Sequence, residues 1–232
     1  MNPIRAVLFD AGGTLIHLDA ELILAALAEA GVPCDAASFA YAERAARATV
    51  SARMRAGERI DDRTRWRIYA QALLAGLGCD AAAARSVRAA VRAHDQAGRL
   101  FTRTVAGTAE TLAELRAAGL VVGVISNSDG RVESFLETAG LRGALDFVID
   151  SGTFGVEKPD PRIFAAGCAR AGVSAAEAVY VGDVYEVDVL GARAAGLLPV
   201  LVDPDDLVPE ADCARIPDVC ALPAWLRTPR AA

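Results

Sequence analysis

The sequence predicts an α/β fold, a doubly wound parallel (Rossmann-like) sheet with an inserted all-helical cap domain. Two observations predict it. From residue 99 onward, short apolar runs alternate with helical patterns, which is typical of a parallel sheet covered by helices. Between residues 18 and 98, apolar residues recur only at helical spacing. We therefore assign residues 1–17 and 99–232 to an α/β core domain and residues 18–98 to the cap domain.

The first strand is predicted at residues 6–9, where four apolar residues lead into Asp10 and a pair of glycines follows one residue later. A short apolar run bounded by glycine is typical of a buried strand in a parallel sheet. Four cap helices follow. The first begins after Asp19, a favourable N-cap residue, and ends near Gly31. The predicted helices cover residues 21–30, 38–55, 63–77 and 81–94.

The remaining elements alternate between helix and strand. Strands are predicted at residues 120–128, 147–149, 178–181 and 198–202, and helices at residues 108–118, 131–139, 161–171 and 188–195, with a last helical turn at 224–227. Parallel strands joined by helical crossovers connect with a right-handed sense. The carboxyl ends of the strands therefore share one edge of the sheet, which is where open α/β sheets bind their ligands.

The composition excludes several classes of function. A formal charge of −6 and a pI near 5.0 argue against nucleic acid as a partner. No apolar stretch reaches membrane-spanning length, and the first residues lack the pattern of a leader peptide. The five scattered cysteines lack metal-ligand spacing, and reduced thiols explain them best. We therefore expect a cytoplasmic globular protein that binds neither membrane nor nucleic acid.

Polar residues at the predicted strand ends form a candidate site. They are Asp10, Ser126, Asn127 and Asp183, together with Asp188 five residues after Asp183 and Lys158 just before the helix at residues 161–171. Asp10 alone is equally consistent with a cap on the glycine turn. Asp10 and Asp183 together supply the hard oxygen ligands that suit Mg²⁺, and Asp188 is either a third ligand or an acid that holds Lys158.

Lys158 is the only lysine among the 24 basic residues of the chain. Arginine serves wherever a general positive charge suffices. Chance alone is the other explanation for a single remaining lysine. A compact ammonium differs chemically from a guanidinium. Two carboxylates, a lysine and a hydroxyl at strand ends are the groups that phosphoryl transfer through an aspartyl phosphate requires.

Four segments, DAGGTL, ISNSDG, GVEKPDPRIF and GDVYEVDVLGA, resemble the four motifs of the haloacid dehalogenase-like (HAD) hydrolases. They occur in the family's order and span nearly the whole chain. The helical insertion between the first and second motifs resembles the C1-type cap of the family's first subclass. Four ordered motifs are far more specific than any one of them.

The resemblance implies a role for each residue. Asp10 resembles the nucleophile, and Lys158 resembles the lysine that neutralises the nucleophile and the phosphoryl group. Ser126, Asn127, Gly13 and Thr14 are implied to bind substrate. Mg²⁺ is implied as the cofactor, bound by Asp10, the backbone carbonyl of Gly12, Asp183 and Asp188. The implied partner is a small phosphorylated metabolite.

The chain departs from the family pattern at Gly12. The phosphatase motif reads D-x-D-G-T, and Gly12 stands where the second aspartate protonates the leaving group and later activates water. General acid–base help is worth roughly 10²–10⁴ in rate. We therefore expect a slow or selective phosphatase, with acyl and aryl phosphates least affected. His17 is a candidate substitute acid, although a linker histidine is the simpler interpretation.

Two alternatives stay open. A HAD fold that has lost its catalysis would bind a phosphometabolite or a partner without turning it over. A 2-haloacid dehalogenase needs no leaving-group acid, but such enzymes need no metal and keep no carboxylate pair like Asp183 and Asp188. The substrate, the cap residues that select it and the oligomeric state are not predicted.

Overall fold

The computed structural model describes residues 3–228 and divides into two compact units. The first unit consists of Met1–His17 and Thr102–Ala232, and the second of Leu18–Phe101. The second boundary lies a few residues after the predicted one. Leu100 belongs to the helical unit because its carbonyl accepts a hydrogen bond from the Asp19 amide at 2.8 Å.

Six parallel strands form the sheet of the first unit, in the order β5-β4-β1-β6-β7-β8, while β2 and β3 form a separate two-stranded sheet. In chain order the strands are β1 (Ala6–Phe9), β2 (His17–Leu18), β3 (Phe101–Arg103), β4 (Val121–Ser126), β5 (Phe147–Asp150), β6 (Ala178–Gly182), β7 (Leu198–Val202) and β8 (Ala214–Ile216). The predicted α/β fold with its parallel sheet is confirmed. Strands β2, β3 and β8 were not predicted, since two or three residues carry no readable periodicity.

Ten α-helices accompany these strands within residues 3–228. They are α1 (Ala20–Glu29), α2 (Ala36–Arg55), α3 (Asp62–Gly76), α4 (Ala81–Gln96), α5 (Thr108–Ala117), α6 (Val132–Thr138), α7 (Ser151–Phe154), α8 (Pro161–Ala171), α9 (Leu190–Ala194) and α10 (Leu222–Arg227). Every predicted helix is present, with its ends moved by a few residues. The helix predicted at 188–195 differs most, because its first part belongs to a π-helical turn, Tyr185–Val189. Helix α7 was not predicted.

The helices α1 to α4 begin in the same way. Each follows an aspartate whose carboxylate accepts backbone N–H groups of the first turn, and these caps are Asp19, Asp35, Asp61 and Asp80. Such caps satisfy donors that have no partner within the helix. Among the aromatic residues of this unit, the half-buried Trp66 lies edge-on to Tyr69 and Phe101 with ring centroids 5.5 and 5.4 Å apart. This aromatic stripe is therefore packing within the helical unit.

Strand β1 lies at the centre of the sheet, and its register positions the strand ends. All four of its residues are fully buried. Phe9 is opposite Val124 of β4 and Val181 of β6, and the amide of Asp10 donates to the Val181 carbonyl at 2.8 Å. The residues that follow these three strands therefore emerge side by side at one edge of the sheet.

The loop that follows β4 is fastened to the start of α7. Asp150, which is buried, accepts hydrogen bonds from the amides of Gly130 and Gly152 through Oδ1 and of Val132 through Oδ2, at 2.8–3.1 Å. Ser151 Oγ adds bonds to the amide and carbonyl of Ser128, both at 3.1 Å. A Cβ on Gly152 would lie 2.8 Å from the backbone of residues 128–130. The contact therefore requires glycine.

We expect Gly152→Ala to lower the free energy of unfolding by about 1–3 kcal/mol, because the backbone of the loop must move away from the new methyl group. Chemical denaturation measures the change. Gly143→Ala is the matched control, since Gly143 has open space around its Cβ position and no positive φ. The control should change stability by less than about 0.5 kcal/mol. Equal effects in the two variants would contradict the close-approach argument.

Candidate active site

Lys158 lies at the centre of the candidate site and is only 4% exposed. Its Nζ donates to Asp10 Oδ1, Asp188 Oδ1 and the Tyr180 hydroxyl, each at 2.8 Å. An ammonium has three protons, so these three acceptors use all of them. The geometry therefore fixes the ammonium against the two carboxylates rather than leaving it to rotate.

The backbone of Lys158 is held as closely as its side chain. Asn127, the residue after β4, accepts a hydrogen bond from the Lys158 amide through Oδ1, with a distance of 2.8 Å. Its Nδ2 donates a hydrogen bond to the Lys158 carbonyl at 3.0 Å. Both ends of the Asn127 amide thus bind the segment that carries the lysine. The structure shows this positioning contact for Asn127, and a contact of Asn127 with substrate stays a prediction.

Tyr180 is a residue of the site that the sequence analysis missed. It lies in β6, is fully buried, and its hydroxyl donates to the carbonyl of Ile125 at 2.9 Å while it accepts from Lys158. Burial, and then the negative charges of Asp188 and Asp10, raise the pKa of Tyr180 well above its usual value, so the phenol stays protonated. In the sequence, the one sign of this role is that Tyr180 carries a polar hydroxyl within a strand whose other side chains are aliphatic.

Asp188 belongs to the π-helical turn that follows β6. Its Oδ2 accepts the amide of Val184 at 2.9 Å while Oδ1 accepts from Lys158. A Cβ on Gly182 would lie 2.4 Å from the Asp188 carboxyl carbon. Gly182 therefore lets the carboxylate of Asp188 lie against the end of β6. Single π-helical turns are frequent at functional sites, and this one returns Asp188 toward Lys158.

Asp183 approaches the glycine turn that follows β1. Gly13 has φ of +84°, and a Cβ built there would lie 2.3 Å from Asp183 Oδ2. Gly13 is therefore required both by its left-handed backbone and by the carboxylate beside it. The turn itself is closed by the Gly13 amide, which donates to the Ile16 carbonyl at 2.8 Å. The contact of Gly13 with substrate stays a prediction.

The remaining predicted residues occupy the same unit. Ser126 is the last residue of β4 and is buried. Thr14 is 2% exposed, and its Oγ1 has no hydrogen-bond partner. Gly12, unlike Gly13, has no positive φ, so its backbone conformation does not itself require glycine. His17 lies in β2 and is half-buried. A role for His17 as an acid stays a prediction.

Three carboxylates in the site form a group suited to a metal ion. Ligand oxygens of Asp10, Asp183 and Asp188 all lie within 4.8 Å of one another. Burial raises the pKa of Asp10, the nearby charge of Asp188 adds to this, and Lys158 opposes it. Burial alone would lower the pKa of Lys158, but Asp10 and Asp188 outweigh it and raise that pKa. The group contains three carboxylates and one ammonium, so the donor set fits a hard divalent cation.

Known proteins that are similar to this chain include members of one hydrolase family. The family model for haloacid dehalogenase-like hydrolases matches residues 4–196. Haloacid dehalogenase-like hydrolase domain-containing protein 3 of Bos taurus is 44% identical over 104 residues, which cover 44% of this chain and 41% of that protein. Phosphoserine phosphatase of Thermus thermophilus is 41% identical over 105 residues, or 43% of this chain and 41% of that enzyme. The matched segment therefore spans about two fifths of the length of each of these relatives.

Solved structures show the same fold. The HAD-hydrolase YfnB of Bacillus subtilis superposes with a TM-score of 0.69 and 22% identity, over 98% of this chain and 100% of that one. In addition, no helix within residues 3–228 combines the length and the apolar character that crossing a bilayer demands.

We expect Lys158→Met to lower the free energy of unfolding by about 3–5 kcal/mol near neutral pH, because two buried carboxylates lose their counter-charge. The loss of stability should be smaller in acid. Burial raises the pKa of Asp10, so this carboxylate takes up a proton in the folded state as the pH falls. Denaturation in the presence of a chelator measures both effects.

Arg162→Met is the matched control for this substitution. Arg162 also pairs with an aspartate at 2.8 Å, but its side chain is 72% exposed, so we expect little change in stability. A loss in Lys158→Met no larger than that of the control would contradict the account of the buried ion pair.

Proposed function

The chain belongs to the haloacid dehalogenase-like hydrolases, and on that premise we propose that it is a Mg²⁺-dependent phosphatase of small phosphorylated metabolites. The observation that carries the proposal is the grouping of the Asp10, Asp183 and Asp188 carboxylates, two of which, Asp10 and Asp188, bind the single lysine of the chain. Phosphatases among the related proteins support it, including the phosphoserine phosphatase of Thermus thermophilus and the glyceraldehyde 3-phosphate phosphatase of Methanopyrus kandleri.

In the proposed reaction a carboxylate oxygen of Asp10 attacks phosphorus, the bond from phosphorus to the leaving oxygen breaks, and an aspartyl phosphate forms. Lys158 already donates to Asp10, and its fixed charge offsets the negative charge that accumulates on the phosphoryl oxygens. The hydroxyl of Ser126, at the end of β4, is proposed to bind a phosphoryl oxygen. Bound Mg²⁺, held by Asp10, Asp183, Asp188 and the Gly12 carbonyl, would supply further charge neutralisation there.

Neither Gly12 nor Lys158 supplies the proton that the leaving group needs, and the role of His17 as an acid stays a prediction. Gly12 carries no carboxyl group, and Lys158 uses its three protons on Asp10, Asp188 and Tyr180. A leaving oxygen of low basicity departs without a proton, whereas an alkoxide does not. We therefore propose that acyl and aryl phosphates react faster than alkyl phosphates, and that water attacks the aspartyl phosphate slowly.

The cysteines are consistent with the proposed location of the protein. All five cysteines are free thiols in the structure, and burial raises the pKa of Cys168. Free thiols persist in a reducing compartment, so we propose that the protein acts in the cytoplasm.

Phosphate release from acetyl phosphate, an aryl phosphate and an alkyl phosphate, with and without Mg²⁺, tests the proposal. We expect release that depends on Mg²⁺ in the natural protein and falls to background in Asp10→Asn, because an amide oxygen is a poor nucleophile. Asp35→Asn is the matched control, since Asp35 only caps α2 and asparagine caps equally well. Release that persists in Asp10→Asn contradicts the proposal.

Two other measurements would favour the alternative functions. Halide release from a 2-haloacid without Mg²⁺ would indicate a dehalogenase. Saturable binding of a phosphometabolite without any phosphate release would indicate a binding protein.

We expect Gly12→Asp to raise kcat for an alkyl phosphate by at least about tenfold, because a carboxyl group would then donate the proton that the leaving alkoxide needs. The backbone of Gly12 permits the change, since its φ is not positive. Steady-state kinetics measures the gain. Gly12→Asn has the same shape without a transferable proton and should show no gain, so equal rates in the two variants would refute the role assigned to position 12.

A further inference from the structure

We propose that Tyr180 is a positioning residue that holds the Lys158 ammonium toward Asp10. The inference rests on the proposed function for the role of Lys158, but the contact itself is independent of that role. Tyr180 lies on β6, two strand positions before Gly182, and its hydroxyl is 2.8 Å from Nζ.

The first step is the number of acceptors around the ammonium. With Asp10 and Asp188 alone, Nζ would keep one unused proton in a site that is almost closed to water. A buried donor without a partner is costly, and the ammonium would turn to share its protons among the carboxylate oxygens. The Tyr180 hydroxyl supplies the third acceptor, so one orientation of the ammonium satisfies all three protons.

The second step is the direction of the hydroxyl proton. Tyr180 donates to the Ile125 carbonyl at 2.9 Å, which leaves an oxygen lone pair for Lys158. Ile125 directly precedes Ser126, so the same hydroxyl joins the end of β4 to the lysine. Lys158 Nζ lies 5.4 Å from the centroid of the Tyr180 ring. This distance is close to the sum of two lengths, from the ring centroid to the hydroxyl oxygen and from that oxygen to Nζ, so Nζ lies beyond the hydroxyl. The ammonium therefore contacts the hydroxyl rather than the face of the ring.

The third step is the rigidity of the tyrosine ring. Tyr180 is fully buried in the sheet, and its ring packs edge-to-face on Phe164 of α8 with centroids 4.9 Å apart. Phe164 in turn fills the space beside Gly191 of α9, where an added Cβ would lie 2.8 Å from its ring. Because the ring is held rigidly, its hydroxyl group fixes the position of Nζ as closely as a preorganised charge requires.

Tyr180→Phe tests the proposal by removing the hydroxyl and keeping the ring. We expect kcat for acetyl phosphate to fall about tenfold with KM unchanged, since the ground-state contacts to substrate remain while the ammonium is no longer held. Thr111→Val in α5 is the matched control. It also deletes a buried hydroxyl that donates to a backbone carbonyl, that of Gly107 at 2.8 Å, but it leaves the site intact.

A second measurement needs no turnover. Because Lys158 is the only lysine, ¹⁵N-lysine labelling gives a single side-chain ammonium signal. We expect slow proton exchange at this signal in the natural protein, several-fold faster exchange in Tyr180→Phe and no change in Thr111→Val. In the natural protein, a nuclear Overhauser effect between the Nζ protons and the Tyr180 ring is also expected, and it requires no variant to fold.

These outcomes separate the inference from the proposed function. A loss of kcat together with faster exchange, both confined to Tyr180→Phe, supports the positioning role. An unchanged ammonium signal in Tyr180→Phe, an equal loss of kcat in Thr111→Val, or no Overhauser effect in the natural protein overturns it. If the natural protein releases no phosphate from any of the phosphates tested, the proposed function fails, and the ammonium signal alone decides the inference.

Discussion

The contact of one buried ammonium with two buried carboxylates is the constraint on which the site depends. Lys158 Nζ lies 2.8 Å from both Asp10 and Asp188, and desolvating such groups costs several kcal/mol per ion. Only good geometry and further hydrogen bonds offset that cost. The structure meets this condition at Lys158 and Asp188: Asn127 holds the lysine backbone, Val184 donates to Asp188, and Tyr180 accepts a hydrogen bond from the third proton of the ammonium.

The parallel sheet makes this geometry possible with few residues. Central strand β1 is paired with β4 and β6 in a register that aligns Phe9 with Val124 and Val181. Each strand end therefore delivers one or two polar groups to the same edge, and no long loop has to bridge the distance. Glycine at positions 13 and 182 then allows the carboxylates of Asp183 and Asp188 to lie against the backbone, where any side chain would collide.

The parts of this arrangement that follow from local pattern were predictable from the sequence. Alternating apolar runs predict the fold, an acid directly after a strand predicts where Asp10 lies, and a lysine just before the start of a helix predicts where Lys158 lies. Tyr180 was not predictable, because a tyrosine in a strand is ordinarily part of the packing and only the tertiary contact with Lys158 distinguishes it. The bonds from Asp150 to residues 130 and 132 likewise depend on how two loops meet, and β8 is too short to show a period.

In the proposed reaction, the site separates two tasks that phosphoryl transfer combines, which are the neutralisation of charge and the movement of protons. Groups for the first are present and mutually supported, since Asp10, Lys158 and Asp188 are buried and bound to one another. For the movement of protons, position 12 is a glycine and has no side chain that could donate or accept a proton. Charge neutralisation lowers the barrier for every phosphate ester alike, whereas the missing proton penalises each ester according to the basicity of its leaving oxygen. If the proposed function holds, Gly12 would make the leaving group, rather than the binding of the phosphoryl group, the feature by which this site discriminates among substrates.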